Sequence, residues 1–460
     1  MSNLLSFVGI MQTIGSILLA ILVLLIMITV HEFGHYIVGK IFKFKINEFA
    51  IGMGPAIFKR ENKKSGEVFS IRIFPLGGFC AFEGEDEDSE SENAFNNKSP
   101  WKRILVLLAG ATMNFILGIL VLILSVGIYG QLLINTYDIK PETEPIYAGY
   151  TLENDDIIKK IDDKQIFLAS DVPDALKGKT TGDIVKVEVI DKEGNNATRN
   201  VRLRNDVSSE NMTDVISSYT ALGISTIVRV DKSTVKSNIF NGEYLLRIKD
   251  SENYEDCTRI FTIFDLIDYA KTISVNEKCS FYVRYSDKDE KKLIEVDVKE
   301  DLTGKTNEEV LNYLGVSESS LLLKYTTKNV RFGFFETISR GLKYSYSVAG
   351  TIFKTLGELL TGKLSITAMG GPITTISVTS TAIREGGFNY FLEIMGFIGI
   401  NLAVFNLLPI PALDGSRAVF CLIEGIRKKP INRNVEGVIH AVGLIVLLGF
   451  CILVDLLQIF

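Results

Sequence analysis

"QTIGSILLAILVLLIMITVHEFGHYIVG", residues 12–39, joins a long uncharged run to two histidines and a glutamate. The run is long enough to cross a bilayer, for which a helix needs about 20 apolar residues. Ionisable groups at the end of such a span are costly and are functional by default. His31 and His35 are four residues apart, so on a helix both imidazoles project from one face. Both rings can therefore reach one metal ion, with Glu32 beside them to take a proton from water, which is the HExxH zinc pattern.

The composition extends the membrane interpretation to the rest of the chain. Of the 460 residues, 47% are hydrophobic, and the mean hydropathy is +0.24. The first apolar run has neither a basic segment before it nor a small-residue cleavage site after it, so we expect a retained span rather than a signal peptide. The net charge of −6 argues against a nucleic-acid partner. We predict four spans, at roughly residues 12–36, 103–129, 394–413 and 437–457.

The basic residues set the predicted orientation of these spans. Two loops are rich in lysine and arginine close to the membrane, one between the first and second spans and one between the third and fourth. The positive-inside rule puts both loops in the cytoplasm. We therefore expect a multi-pass protein of the cell membrane with an extracytoplasmic N-terminus, C-terminus and region from about 131 to 390. The basic residues are Lys40, Lys43, Lys45, Lys59, Arg60, Lys63, Lys64, Lys102 and Arg103 in the first loop, and Arg417, Arg427, Lys428, Lys429 and Arg433 in the second.

The segments between the spans have recognisable patterns. Alternating apolar residues on either side of "KRENKKSGE" (59–67) predict a β-hairpin, which Pro75, Gly77 and Gly78 interrupt so that another backbone can approach closely. The fold class is thus a polytopic α-helical membrane protein with four transmembrane helices, a cytoplasmic membrane-associated β-hairpin and an extracytoplasmic α+β region of modules. The expected divisions are 1–130 for the first transmembrane half, 131–232 and 233–325 for two related modules, 326–390 for an amphipathic membrane-surface helix and its connection, and 391–460 for the second transmembrane half.

The sequence also bears on one turn of the first module and on two cysteines of the second. Asn154 stands where a turn requires positive φ, a conformation that asparagine tolerates. Cys257 and Cys279 both fall in the second module, where a disulfide and two free thiols are equally compatible with the sequence.

A catalytic zinc site has three protein ligands and one open position, so the two histidines need a third partner. The candidates are Asp414 and His440. Pro409 and Pro411 break a helix just before Asp414, and the exposed carbonyls then require a protein-lined cavity. The alternative for Asp414 is an ordinary helix-end residue at the cytoplasmic surface. His440 has apolar neighbours, which is more typical of a packed, hydrogen-bonded histidine.

Three asparagines lie in otherwise apolar spans. Asn114 is either a contact between helices or a donor to the substrate, and its sequence context favours neither. Asn401 and Asn406 raise the same choice. Asn406 is favoured for function because it adjoins the proline break.

Five segments together resemble the bacterial site-2 proteases, specifically their regulator of sigma-E protease branch. They are "HEFGH" at 31–35, "FPLGGF" at 74–79, "AGATMNF" at 109–115, "GGP" at 370–372 and "NLLPIPALDG" at 406–415. The resemblance implies that His31, His35 and Asp414 bind one zinc ion and that Glu32 is the base. It also implies that the modules are of PDZ type and that the hairpin holds the substrate as an added strand. The chain departs from the family at Ala111, where a proline is common, and at Ser416, where a second glycine is common.

The predicted function is hydrolysis of peptide bonds within or near the transmembrane segment of single-span membrane proteins. An unwound substrate would pair with the hairpin edge near Gly77 and Gly78, with Asn114, Asn406, Pro409 and Pro411 as further substrate-binding residues. The resemblance implies as substrates anti-sigma factors that have already been trimmed, or remnant signal peptides. The alternative is a membrane-anchored PDZ-type binding or quality-control protein with a non-catalytic zinc site. A metal transporter would need polar residues spread over several spans, and most spans here consist almost entirely of apolar residues.

Overall fold

A computed structural model describes residues 2–85, 89–207, 214–228, 243–285, 291–316, 321–362 and 370–459. The chain divides into two units, one of residues 1–130 with 331–460 and the other of residues 131–330. In chain order the helices and strands are α1 (Ser2–Ile41), β1 (Ile46–Glu61), β2 (Val68–Phe82), α2 (Pro100–Tyr129), β3 (Gln131–Thr136), β4 (Ile157–Ile161), β5 (Lys164–Gln165), α3 (Asp171–Leu176), β6 (Ile184–Ile190), β7 (Asn196–Arg202), α4 (Asp214–Ala221), β8 (Thr226–Val228), β9 (Glu243–Ile248), α5 (Ile263–Thr272), β10 (Lys278–Tyr285), β11 (Lys291–Asp297), α6 (Asn307–Tyr313), β12 (Leu321–Leu323), β13 (Tyr325–Val330), α7 (Phe334–Leu360), α8 (Pro372–Leu407), α9 (Asp414–Arg427) and α10 (Arg433–Ile459).

Four helices among the described residues are long and apolar enough to cross a membrane, as the sequence predicts. They are Met11–Ile41, Pro100–Tyr129, Gly387–Leu407 and Asn434–Leu457. The sequence predicts the third span at residues 394–413, and that position is wrong. Its helix ends at Leu407, because Pro409 and Pro411 cannot continue it, and it begins at a kink at Gly387. Asp414 consequently lies on α9 rather than at the end of the third span.

The first, second and third spans pack on one another through apolar side chains. Val23 and Met27 of α1 meet Val121 of α2 and Ile398 of α8 in one buried cluster. A buried hydrogen bond between the hydroxyls of Ser16 and Ser380, 2.7 Å apart, also joins α1 to α8. These contacts fix α1 against α2 and α8 in the turns just before His31.

The predicted β-hairpin is present between the first and second spans, and it is folded back on itself. Residues 46–51 of β1 pair with 78–82 of β2 on one side and with 68–71 on the other. The far half of β1, residues 56–61, pairs with 68–72. This leaves 78–82 as an edge of a small sheet whose apolar side packs on the end of α1, the start of α2 and α9.

The helix α7 packs against α2. A β-carbon built on Gly341 would lie 2.5 Å from Ile123, so the two helices touch there. Tyr344 also donates a 2.6 Å hydrogen bond to Glu393 of α8. The outer face of α7 is exposed and aromatic at Phe335 and Tyr346. That amphipathic character agrees with the sequence pattern.

The described residues between 131 and 330 form two hydrophobic cores. One lies under a six-stranded sheet of order β13-β3-β4-β6-β7, with β5 paired to β4, and includes Ile158, Val187 and Tyr219. The other packs α5 and α6 on the three-stranded sheet β11-β10-β9. Strands β8 and β12 pair with each other. The predicted boundary between modules at residues 232 and 233 lies outside the described residues.

The structure corrects one prediction for this unit, the position of a left-handed turn, and answers one open question, the state of two cysteines. Asn154 does not have positive φ; the left-handed residue is its neighbour Asp155, with φ 69°. The Asp155 N–H donates to the carbonyl of Thr136 at 2.7 Å, which sets the turn one residue later than predicted. Cys257 and Cys279 are both free and buried.

Candidate metal centre

Two histidines of α1 and one aspartate of α9 converge inside the first unit. The three donor atoms lie within 4.8 Å of one another. Asp414 Oδ2 is 2.8 Å from His31 Nε2 and 3.3 Å from His35 Nε2, and the two Nε2 atoms are 3.1 Å apart. The side chains are mostly buried, with exposed fractions of 10% for His31, 9% for His35 and 23% for Asp414. Of the two candidates for a third partner, the structure brings Asp414 to the histidines, at a sequence separation of 383 residues.

The orientation of His35 prepares its Nε2 atom for a cation. Its Nδ1 lies 2.8 Å from the carbonyl oxygen of Val106 on α2, so Nδ1 carries the hydrogen and donates it. In the neutral ring Nε2 is then a bare lone pair. It faces the carboxylate of Asp414, and two acceptors this close repel each other unless a cation lies between them. Imidazole nitrogen and carboxylate oxygen are both ordinary zinc ligands.

Room for the rings is provided by Gly110 on α2. A β-carbon there would lie 2.5 Å from His35 Nε2 and 2.7 Å from His31 Nε2. Sequence reasoning recognised the motif around this glycine but not its role, because a close approach between two helices leaves no periodic signal.

Glu32 lies between the histidines and the hairpin. The backbone of Cys80 in the edge segment 78–82 interacts with the Glu32 carboxylate, a contact that the sequence did not indicate. A β-carbon on Gly78 would lie 3.5 Å from Glu32 Cγ, so the edge of the sheet runs directly past this carboxylate. Gly77, which precedes it, has φ 103° at the bend that leads into the edge segment.

The remaining predicted residues surround the centre or lie apart from it. Asn114 is fully buried one turn beyond Gly110, and neither polar atom of its side chain has a partner among the described residues. Asn406 is partly exposed in the last turn of α8, with Asn401 further back on the same helix. Pro409 and Pro411 lie in the segment between α8 and α9. His440 is outside the ligand cluster, and its Nδ1 accepts a hydrogen bond from the N–H of Ala412 at 3.0 Å.

Comparison with known proteins also indicates a metal-binding protein. The profile of peptidase family M50 matches residues 19–450. The chain belongs to peptidase family M50. It is 27% identical to the regulator of sigma E protease of Haemophilus influenzae over 456 residues, which cover 96% of this chain and 97% of that protein. It is 28% identical to a predicted zinc metalloprotease of Fusobacterium nucleatum over 446 residues, which cover 95% and 96% of the two chains.

Membership of family M50 makes the protein an intramembrane zinc metalloprotease. The four apolar helices agree with a polytopic membrane protein. The donor set fits zinc, since two imidazoles and one carboxylate leave a fourth position free, as a catalytic site requires. Gly110 leaves room for both rings beside this donor set.

Proposed function

We propose that His31, His35 and Asp414 hold one catalytic zinc ion and that Glu32 is the general base. The observation that carries this proposal is the convergence of three donor atoms within 4.8 Å of one another. Glu32 lies on α1 with the two histidines, and its carboxylate is close to both rings and to Asp414. Zinc bound there supplies a Lewis acid for the scissile carbonyl and makes the attacking water more acidic.

Glu32 moves the proton in this mechanism. Its carboxylate accepts a proton as the water oxygen bonds to the scissile carbonyl carbon. It then gives the proton to the amide nitrogen as the carbon–nitrogen bond breaks, so that the products are a carboxylate and an amine. The backbone of Cys80 lies beside this carboxylate.

The substrate is extended by pairing with the edge segment 78–82. A helical substrate hides its peptide bonds in its own hydrogen bonds, so it must unwind before it is cut. Among the described residues, the edge segment pairs with one strand segment, residues 46–51, and a β-carbon on Gly78 would lie 3.5 Å from Glu32 Cγ. Strand addition at this edge would carry a substrate peptide past the base. Gly77 and Gly78 keep the backbone accessible there.

Asn114, Asn406, Pro409 and Pro411 complete the proposed substrate site. Two unpartnered polar atoms on the buried Asn114 support a role in substrate binding over a contact between helices. Asn406 lies in the last turn of the third span, next to the prolines that free backbone carbonyls, which gives that region donors and acceptors for an unwound peptide.

The orientation proposed for the protein follows its basic loops. The hairpin loop and the connection between α9 and α10 carry the lysines and arginines, so both are cytoplasmic and the zinc centre lies toward that side. Residues 131–330 are then extracytoplasmic. Their two separate cores support two PDZ-like modules that exclude substrates with a bulky outer domain. The substrates are single-span membrane proteins that have already been trimmed, such as anti-sigma factors or remnant signal peptides.

The test is cleavage of a model single-span protein by the purified enzyme in detergent. Wild type should cleave it, a chelator should stop cleavage, and added zinc should restore it. E32Q should bind zinc as wild type does and cleave nothing. Cleavage by E32Q would overturn the base assignment, and zinc binding without cleavage of any substrate would favour a binding protein instead.

A further inference from the structure

The loop that carries the third ligand contains a backbone conformation that needs support. Ala412, two residues before Asp414, has φ 80°, in the left-handed region that residues with a side chain seldom adopt. Such a residue persists when its surroundings hold it. The contact that holds it comes from another helix, because the N–H of Ala412 donates to Nδ1 of His440 on α10 at 3.0 Å.

His440 is oriented for this role. Because Nδ1 accepts a hydrogen bond, the neutral ring carries its hydrogen on Nε2. The ring also meets Phe420 of α9 edge to face, with centroids 5.6 Å apart. It therefore touches both the loop before Asp414 and the helix that Asp414 begins.

The backbone of α10 contacts the same loop one turn further along. A β-carbon on Gly443 would lie 2.2 Å from Cβ of Pro411, so no side chain fits between helix and loop. Most side chains of α10 are otherwise exposed. Through His440 and Gly443, α10 contacts Ala412 and Pro411 in the loop that joins α8 to α9.

The position of Asp414 depends on that loop. The N–H of Leu413 donates to the carbonyl of Ile410 at 3.1 Å, and α9 begins at the next residue. Rotation of the backbone at Ala412 would swing the start of α9. It would also move Asp414 Oδ2 away from His31 Nε2, which is now 2.8 Å distant.

We propose that His440 is a positioning residue for zinc: by accepting the Ala412 N–H it fixes the left-handed turn that presents Asp414 to the two histidines. This inference rests on the proposed assignment of Asp414 as a ligand. His440 itself binds no metal in this account.

The experiment measures metal affinity in the full-length protein in detergent, by cobalt titration followed through visible absorption and by competition for zinc with a chelator. H440N keeps an acceptor at the position of Nδ1, whereas H440Q moves it to the position of Nε2. H440F removes the acceptor. We expect H440N to stay near wild type, and H440Q and H440F to lose affinity about 10- to 100-fold, the range for residues that orient a ligand.

A second substitution separates positioning from general packing. Glycine adopts positive φ without steric cost, so A412G should restore most of the affinity lost in H440F and change little by itself. I445A, at an exposed position of α10, is the control and should bind metal as wild type does.

Two results would overturn the inference: equal affinities for H440N and H440Q, or a loss in H440F that A412G does not restore. D414A tests the assignment beneath it. If D414A binds metal as wild type does, the proposed ligand set fails. If D414A loses the metal while the His440 variants keep it, the ligand set stands and only the role of His440 fails.

Discussion

Gly110 lies directly against His35: a β-carbon on this glycine would be 2.5 Å from the ring nitrogen Nε2. The distance to His31 Nε2 would be 2.7 Å. The second span therefore shapes the candidate metal centre.

Substitution of Gly110 by alanine should weaken zinc binding, because one or both rings must move away from Asp414. Overpacking of this kind costs about 1–3 kcal/mol, which corresponds to a loss of affinity of about 5- to 150-fold. Zinc affinity from chelator competition is the measurement. G127A on the same helix is the control, since its β-carbon would meet Thr337 at an ordinary 3.6 Å. Wild-type affinity in G110A would contradict the close packing.

The fourth span should be tied to the start of α8 by Asp455. This buried carboxylate accepts the N–H groups of Ile373 and Thr374 at 3.1 and 3.0 Å, and a β-carbon on Gly371 would lie 2.5 Å from its Cγ. Loss of such a cap costs about 0.5–2 kcal/mol. The melting temperature in detergent should fall for D455A and less for D455N, which keeps one acceptor. L456A, at an exposed position, is the reference, and equal melting of D455A and L456A would refute the cap.

Glu48 should make the hairpin sensitive to acid. Burial favours its protonated form, but hydrogen bonds of 2.6 Å from Ser70 and from Arg72 outweigh this and lower its pKa. Because the folded pKa is below the unfolded one, the stabilisation is present above the ordinary glutamate range of about 4.3 and is lost as the pH falls through the folded pKa. E48Q should therefore melt below wild type at pH 7, and the difference should shrink toward pH 3. A difference that is constant with pH would exclude this origin.

The Cys279 thiol should resist alkylation in the folded protein. The residue is fully buried and free, and burial raises its pKa to about 12, so almost no thiolate forms at pH 8. Mass spectrometry after iodoacetamide treatment should find Cys279 unmodified in the native protein. In denaturant without a reductant it should be modified together with Cys257. Protection of both cysteines in denaturant would reveal a disulfide and contradict the structure.

The metal centre shows what the sequence determines locally and what it does not. The spacing of His31 and His35 predicts two rings on one helical face, because a helix repeats every 3.6 residues. Their meeting with Asp414 is a tertiary contact that no spacing predicts, and the resemblance to a family supplied it. Gly110 was missed for the same reason.

The errors have equally physical origins. The third span was extended to residue 413 because Ile410 and Leu413 are as apolar as the span, while the helix ends at Leu407 before two prolines. The sequence predicts the left-handed turn at Asn154, but asparagine and aspartate both tolerate that conformation, and a hydrogen bond from Asp155 to Thr136 places it at Asp155. His440 could be understood only once the φ angle of Ala412 was known.

The zinc K-edge X-ray absorption spectrum of the purified protein tests the central assignment most directly. The proposed ligand set predicts nitrogen and oxygen neighbours at about 2.0–2.1 Å, with outer-shell scattering from two imidazoles. The chain contains only three histidines, so a third imidazole would have to be His440. A spectrum with two imidazoles that changes in D414A supports the assignment, whereas three imidazoles, or sulfur at about 2.3 Å, would contradict it.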